Sequence, residues 1–528
     1  MEHGKRRLVV TCLLILGLAG CATTSHVRLK DEIERPDSHV NSRRGQNVTG
    51  YVDAAAIYHK LDGFVRIVPG DSLEFVSLAP SSSDLSADLQ RHPFRLPRDS
   101  VSTILIRHVD PLRTTLAVIG TTVLVLGAVA AIALATKESC PFIYSWDGTR
   151  YVFDGEPYGG ATMSSLERTD WSELEHLVPD HGRYRLQLTN EVDETQHTNS
   201  LELLVVDHPR GTTPVMDKEG RPHAFRTLER LSAARDENGT DLLPWLREND
   251  RAAWYPNLTA LSRQDSVVDT RNHITLEFVR PRGEEHAYLV SNVATGQWGS
   301  HMIRSMLAMR GSQVQDFYAA INGSELYRRQ LLDWNQREET FELFLEVKVG
   351  DRWVRQDFIP GGGPFVSENR AIAVDLSGVV GDRVQIRVHP PVGFWSLNSF
   401  MLGWDEDEVR VTNVEADSGS GPEGVDVVKA LRSDDSLYVD FPTKAEHATL
   451  AFAEPPATPG MQRTVFARTR GWYEVHLHDL GAPDLAAVGR LTYEPGYVVR
   501  RGLRELADFQ RTGKLQGVPA VPAGSGGR

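Results

Sequence analysis

From Thr114 to Ala135 the chain carries no charged side chain, with Arg113 shortly before it and Lys137 shortly after it. Twenty-two residues wound as a helix rise about 33 Å, enough to cross a hydrocarbon core about 30 Å thick. Such a segment has to be buried in lipid or in protein, so the chain folds as separate parts before and after it. We read residues 114–135 as a transmembrane or membrane-associated helix. Gly120 and Gly127 lie one heptad apart, with Ala131 and Ala135 near the same face, a strip on which a neighbouring helix can pack closely.

On both sides of this segment the sequence alternates with the period of strands rather than helices. Before it, residues 51–111 read as a small β-domain of SH3-like or Sm-like kind: a turn at Leu61-Asp62-Gly63 feeding a strand through Val68, a second strand from Asp71 to Leu78 and a third from Val101 to Val109. After it, residues 140–235 read as a further β-domain. Two aromatic-rich runs flank Asp147-Gly148, a hairpin signal because glycine tolerates the positive φ of a tight turn. In Ser200–Asp207, Leu201, Leu203 and Val205 alternate with Glu202, Leu204 and Val206.

Residues 236–510 read as a β-sandwich region built partly by duplication. Gly239-Thr240-Asp241-Leu242-Leu243 leads to Leu246-Arg247 and then Asn249-Asp250; Gly424-Val425-Asp426-Val427-Val428 leads to Leu431-Arg432 and then Asp434-Asp435. Each copy continues to Thr-Leu-x-Phe-x-x-Pro, at Thr275–Pro281 and Thr449–Pro455, and then to Trp298 or Trp472-Tyr473. His301–Trp334 is a minor helical insert, with Met302, Met306 and Met309 near one face as core filling. Gly513–Arg528, rich in glycine, alanine and proline, is expected to be a disordered tail. The fold class is therefore mostly β, with one membrane-associated helix between a small β-domain and a large one.

The start of the chain carries Lys5, Arg6 and Arg7, an apolar run from Leu8 to Leu18, and small residues before Cys21. That order is a secretory signal over residues 1–20. Leu18-Ala19-Gly20-Cys21 resembles the lipobox of bacterial lipoproteins, which implies cleavage before Cys21 and lipidation of its thiol. By the same resemblance Ala22, in place of an acidic residue, is compatible with forwarding to an outer membrane in a Gram-negative host. Residues 21–50 are polar and charged and read as a flexible tether. A lipid on Cys21 puts that end outside the cytoplasm, so residues 114–135 could cross a membrane, re-enter as a hairpin broken near Gly120 or Gly127, or pack against protein. The β-rich character of residues 140–510 favours an extracytoplasmic location for the large domain. The chain resembles large bacterial envelope lipoproteins.

Composition excludes some functions. A net charge of -14 argues against a general nucleic-acid binder, since phosphate affinity depends on Lys and Arg clusters. Of the cysteines Cys12, Cys21 and Cys140, only Cys140 would remain free in the mature chain, so we expect no intramolecular disulfide and no basic partner to make Cys140 a nucleophile. Gly155–Ala161 lacks the Lys and the spacing of a phosphate-binding loop. No HExxH, GxSxG or Cys/His metal spacing occurs, and we expect neither metal nor cofactor. Asp405-Glu406-Asp407-Glu408 and Asp236, Asn238 and Asp241 are oxygen-rich and read as charged turns rather than calcium sites. Two carboxylate pairs, Asp154 with Glu156 and Glu173 with Glu175, are candidates for glycoside hydrolysis, and adjacency in sequence leaves their separation open.

The stretch from Val374 through Gly381-Asp382-Arg383 to Trp404 resembles the closing strands of galactose-binding-like jelly rolls, which implies a sandwich whose loops hold a carbohydrate or another surface ligand. Trp353, Trp395 and Trp404 are the candidate stacking platform. We expect a membrane-tethered, non-catalytic binding or scaffold protein of the cell envelope with a polysaccharide or protein partner. A glycan-active enzyme and a structural component of an envelope complex are the alternatives.

Overall fold

A computed structural model describes residues 23–34, 40, 46–53, 58–68, 72–77, 93–108, 141–250, 253–264, 269–280, 283–444, 446–478 and 480–512. The signal region, Cys21, residues 114–135, Cys140 and the tail from Gly513 lie outside the described residues. Among the described residues no helix is long and apolar enough to cross a membrane. The chain divides into two compact units, one comprising residues 1–128 with two short later stretches and the other the remainder.

The first unit is a six-stranded antiparallel sheet in which Val101–His108 sits between Thr23–Arg28 and Gln46–Asp53, followed in order by Tyr58–Val68, Ser72–Ser77 and Pro93–Pro97. Its core holds Leu29, Val48, Val65, Leu73, Phe75, Ile104 and Ile106. The expected tether is in part built into this sheet: Thr23–Arg28 pairs with Val101–His108, and Leu29–Glu34 is a short helix. The expected turn at Asp62-Gly63 is instead the interior of one eleven-residue strand, where Gly63 pairs with Val48 on one side and Ser77 on the other. A glycine between two partner strands fits the local bulge between Val48 and Gly50.

The second unit is mostly β as well, in two layers of different origin. A nine-stranded sheet takes strands from both ends of the unit. Its order is Tyr151–Gly155, Phe142–Trp146, Arg183–Thr189, His447–Ala453, Arg410–Ser420, Glu194–Pro209, Met461–Val475 and Arg168–Glu173, with Val439–Phe441 added on Glu194–Pro209. The expected hairpin around Asp147-Gly148 is present; Gly148 has φ +93°, and Asp147 accepts bonds from the amides of Thr149 and Arg150 at 2.7 and 2.9 Å. The alternation seen in Ser200–Asp207 sends Leu201, Leu203 and Val205 into a core with Leu186, Leu450 and Phe452.

Between Pro209 and Arg410 the chain builds a β-sandwich. One sheet has seven strands, among them His286–Thr295, Glu368–Asp375 and Trp395–Gly403; the other has five, Ala233–Arg235, Ile274–Val279, Arg383–Val388, Glu342–Val349 and Arg352–Pro360. Leu276, Phe278, Leu345, Val347, Val384 and Ile386 from the five-stranded sheet meet Leu289, Ile372, Val374, Phe400 and Leu402 from the other in one apolar core. The sandwich is thus an insertion in the nine-stranded layer, whereas sequence reading expected two consecutive domains divided near residue 235. The repeated blocks fold alike locally. Gly239 and Gly424 both have φ +79°, short helices follow at Leu243–Leu246 and Val427–Ala430, and Leu276 and Phe278 are buried as Leu450 and Phe452 are. They nevertheless lie in different layers.

The helical insert is present as Gln297–Ala308, Val314–Gly323 and Glu325–Glu338, with Met302, Met306 and Met309 buried in the sandwich core. Two further helices, Leu485–Tyr493 and Tyr497–Thr512, stand at the end of the region read as a β-sandwich, for which the sequence reading named no helix. Their signals are local: Asp484 caps the first by accepting from the Ala487 amide at 2.9 Å, and Val498, Val499, Leu503 and Leu506 recur at helical spacing.

Candidate functional site

Carboxylates converge where the sandwich meets the edge strand Arg168–Glu173 of the nine-stranded layer. Asp170 and Ser172 alternate on one face of that strand and meet Glu368 and Arg370 at the start of Glu368–Asp375. Arg370, 5% exposed, binds Asp170 at 3.1 Å and also contacts Glu368. Ser172 donates its hydroxyl to Glu368 at 2.8 Å. Arg168 reaches Asp170 at 3.0 Å and the Gly361 carbonyl at 2.8 Å, and the Tyr158 amide donates to Asp170 at 3.0 Å. The two layers are therefore joined by charge-assisted bonds out of bulk water.

The carboxylates singled out in the sequence lie around this seam. Asp154 accepts from the backbone amide of His176 at 3.0 Å and contacts its imidazole. Glu156 is buried and accepts from the Phe365 amide at 2.7 Å. Glu173 has its carboxyl pushed well above the usual carboxylate range, first by burial and then by the charges of Glu175, Asp154 and Glu368. Glu368 is pushed up to about 7; burial is the main cause, and Arg370 and Ser172 offset only part of it. Carboxyls raised by burial in this way are the raw material of acid–base catalysis.

Beside the seam Gly159-Gly160 and Gly362-Gly363 close on one another so tightly that a Cβ on Gly159 would lie 2.6 Å from the Gly363 nitrogen. The recess they leave, lined also by Thr295, Ser300, Arg304 and Tyr473, measures about 20 Å³. That volume admits about one water, whereas small-molecule sites run from about 300 Å³ upward. Glu156 itself occupies the place a side chain on Gly363 would take. The bonds of Arg370, Arg168 and Ser172 fasten the two layers.

The three tryptophans expected to form a platform do not share a surface. Trp395 is 2% exposed in the seven-stranded sheet and donates its indole N–H to the Glu339 carbonyl at 3.0 Å. Trp404 packs against the same core, with its indole nitrogen buried. Trp353 alone lies on the outer side, in the edge strand Arg352–Pro360 of the five-stranded sheet. The apolar surface of an indole is as useful to a core as to a ligand, and the strand pattern around Trp395 buries both of its neighbours as well.

The oxygen-rich turns are occupied by protein partners. Glu406 receives His223 at 2.9 Å, Asp407 receives Arg226 at 2.7 and 3.0 Å, and Asp236 accepts from the amides of Asn238 and Thr240. Among the described residues no group of His, Cys, Asp and Glu is arranged to hold a metal ion. Sequence reading missed Asp170, Glu368 and Arg370; the signal was there in the charged residues two apart, Arg168 and Asp170, Glu368 and Arg370, inside otherwise strand-like runs.

No family model matches the chain, and no curated protein matches its sequence. Among solved structures, the GH31 alpha-xylosidase from Xanthomonas citri aligns at 9% identity over 84% of this chain and 35% of that one, with a TM-score of 0.13. This similarity is too slight to argue from.

Proposed function

We propose that the chain is a lipid-anchored protein of the bacterial cell envelope that works by binding or scaffolding rather than by catalysis. The anchor rests on the basic start, the apolar run to Leu18 and the lipobox ending in Cys21, with residues 114–135 as a second membrane contact. An outer membrane is the favoured location in a Gram-negative host, with the large β-rich unit extracytoplasmic. The two repeated blocks are read as products of a duplication. The observation that carries the non-catalytic reading is the direct pairing of the carboxylates at the seam: Asp170 and Glu368 contact Arg370, and Glu156 accepts from the Phe365 amide.

Metabolic labelling with a fatty-acid analogue tests the anchor: label is expected on the wild type and absent in Cys21→Ser, and label persisting in the variant refutes it. Protease added to intact cells, spheroplasts and lysed spheroplasts tests placement. Protection of residues 137–528 in spheroplasts would place the large unit in the cytoplasm.

One observation favours the glycan-active alternative, the two acids Glu173 and Glu368, both raised above the usual carboxylate range mainly by burial. On that reading Glu173→Gln and Glu368→Gln each abolish hydrolysis of a glycoside panel that the wild type cleaves. On the binding reading the wild type cleaves none of it, and the substitutions change stability alone.

A further inference from the structure

The five-stranded sheet of the sandwich turns one face to the core and leaves the other outward. Ile274, Leu276 and Phe278, Val384, Ile386 and Val388, and Leu345 and Val347 are buried, so the residues between them point away from the core. At these outward positions stand Arg383 and Arg387 on one strand, Lys348 beside it, and Trp353 and Arg355 on the edge strand. Their carboxylate neighbours are already engaged. Glu346 accepts from Arg387 at 2.9 Å, and Glu277 contacts Arg383 and accepts from Gln385 at 3.1 Å. Glu342, further along, is pushed above the usual carboxylate range by burial.

Lys348 and Arg355 lie over rings, and the charge of Arg355 also acts on Glu342. Lys348 lies 6.0 Å from the Trp353 ring centre, and the Arg355 guanidinium sits over Phe344 at 3.2 Å. Arg387 covers Trp353 at 4.4 Å while also bound to Glu346. The face is thus a flat array of cations around a partly exposed indole, in a chain whose net charge is -14. Such a face draws an acidic occupant against the field of the whole molecule.

We infer that this outward face binds an acidic polysaccharide, its sugar ring against Trp353 and its carboxylates on Lys348 and Arg355. This rests on the binding reading above and names the ligand class for it. A flat indole with flanking guanidinium groups suits a ring with an apolar side and a charged substituent. Neighbouring strands lie about 4.8 Å apart, so Trp353 and Lys348, directly paired, can hold two parts of one sugar unit.

The test uses the full chain, purified in detergent, in calorimetric titration with polygalacturonate. Dextran, polyglutamate and phosphatidylglycerol vesicles are the comparisons. Binding to polygalacturonate that weakens with salt, with no binding to dextran, is expected. Trp353→Ala should weaken it about tenfold and Trp353→Phe less. Lys348→Gln and Arg355→Gln, whose side chains lie outside the core, should each weaken it with thermal unfolding unchanged. No binding to polygalacturonate, binding untouched by these substitutions, or equal binding to polyglutamate or to the vesicles overturns the inference. Failure here with Cys21 labelling intact removes this surface alone, and loss of the labelling removes the anchor while leaving the titration readable.

Discussion

Replacing Glu368 by glutamine should stabilise the protein at alkaline pH, although Glu368 sits beside a buried arginine. The sign follows from the direction of its shift. A carboxyl raised from 4.5 to about 7 holds its proton in the folded state over a range where the unfolded chain has lost it. The folded state therefore binds more protons, and stability falls as pH rises from about 4.5 through about 7. At about 1.36 kcal/mol for each pH unit of that rise, the effect is worth about 3 kcal/mol for a group only 11% exposed. Glutamine has the shape of the protonated acid and can still accept from Ser172 and Arg370, yet it cannot ionise. Urea unfolding followed by tryptophan fluorescence at pH 5, 6, 7 and 8.5 is the assay. Wild type and Glu368→Gln should agree at pH 5, and the variant should lead by up to about 3 kcal/mol at pH 8.5. A variant less stable at pH 8.5, or one with the wild-type slope, would show that Glu368 is an ordinary ionised partner of Arg370 and refute the reasoning.

Arg370→Met removes the cation shared by Asp170 and Glu368 and should cost about 3 to 5 kcal/mol at neutral pH, measured in the same assay, with the loss shrinking in acid as the carboxyls protonate. Gly363→Ala sets a methyl into the space held by the Glu156 carboxyl, so the glycine loops must part; about 1 to 3 kcal/mol of stability should be lost, whereas Gly148→Ala meets no neighbour and is strained only by its positive φ. His223 lies between Asp217 and Glu406, 2.9 Å from each, and although burial pulls its pKa down these partners leave it raised above 6.5. The stability it adds is present below about 6.5 and is lost as pH rises through the folded value, so the gap between wild type and His223→Gln in thermal unfolding should close from pH 6 to pH 9.

The strand-by-strand character of the chain was legible because burial has the period of the pleat. Leu201, Leu203 and Val205 point inward as their spacing requires, and Asp147-Gly148 turns where glycine's freedom permits. The nesting of one layer inside the other was not legible. Glu194–Pro209 reads as a strand from its own residues, but nothing in it states that its partner is Met461–Val475, some two hundred and fifty residues later. Pairing partners are chosen by non-local burial, and local pattern is silent about them. The same limit hid the seam. Glu173 and Glu175 were visible as a pair, while Glu368 and Arg370 became their neighbours only when the insertion closed. The tryptophans failed for another reason: an indole at a strand position has the same sequence signature whether it faces core or solvent, and Trp395 faces core.

The insertion also bears on where a ligand can be held. The sandwich is tied to the nine-stranded layer by three chain crossings, after Pro209, before Arg410 and after Val475, where the last two helices join the sandwich core, and by the bonds of Arg370, Arg168 and Ser172 across the seam. Within the sandwich, His223 and Arg226 hold Glu406 and Asp407 on the strand just before the chain returns to the other layer. A junction fixed at several points has little freedom to open as a cleft, and its buried charges are costly to separate. The end of the five-stranded sheet that carries Lys348 and Trp353 lies away from the Glu342 end, where Arg168 acts, and its strands are held by the core beneath them. Ligand binding there requires no rearrangement of the junction, so Arg370→Met should weaken the layer contact while leaving polygalacturonate affinity within about twofold wherever the sandwich stays folded. A parallel loss of both would mean that the seam and the sheet face form one functional surface.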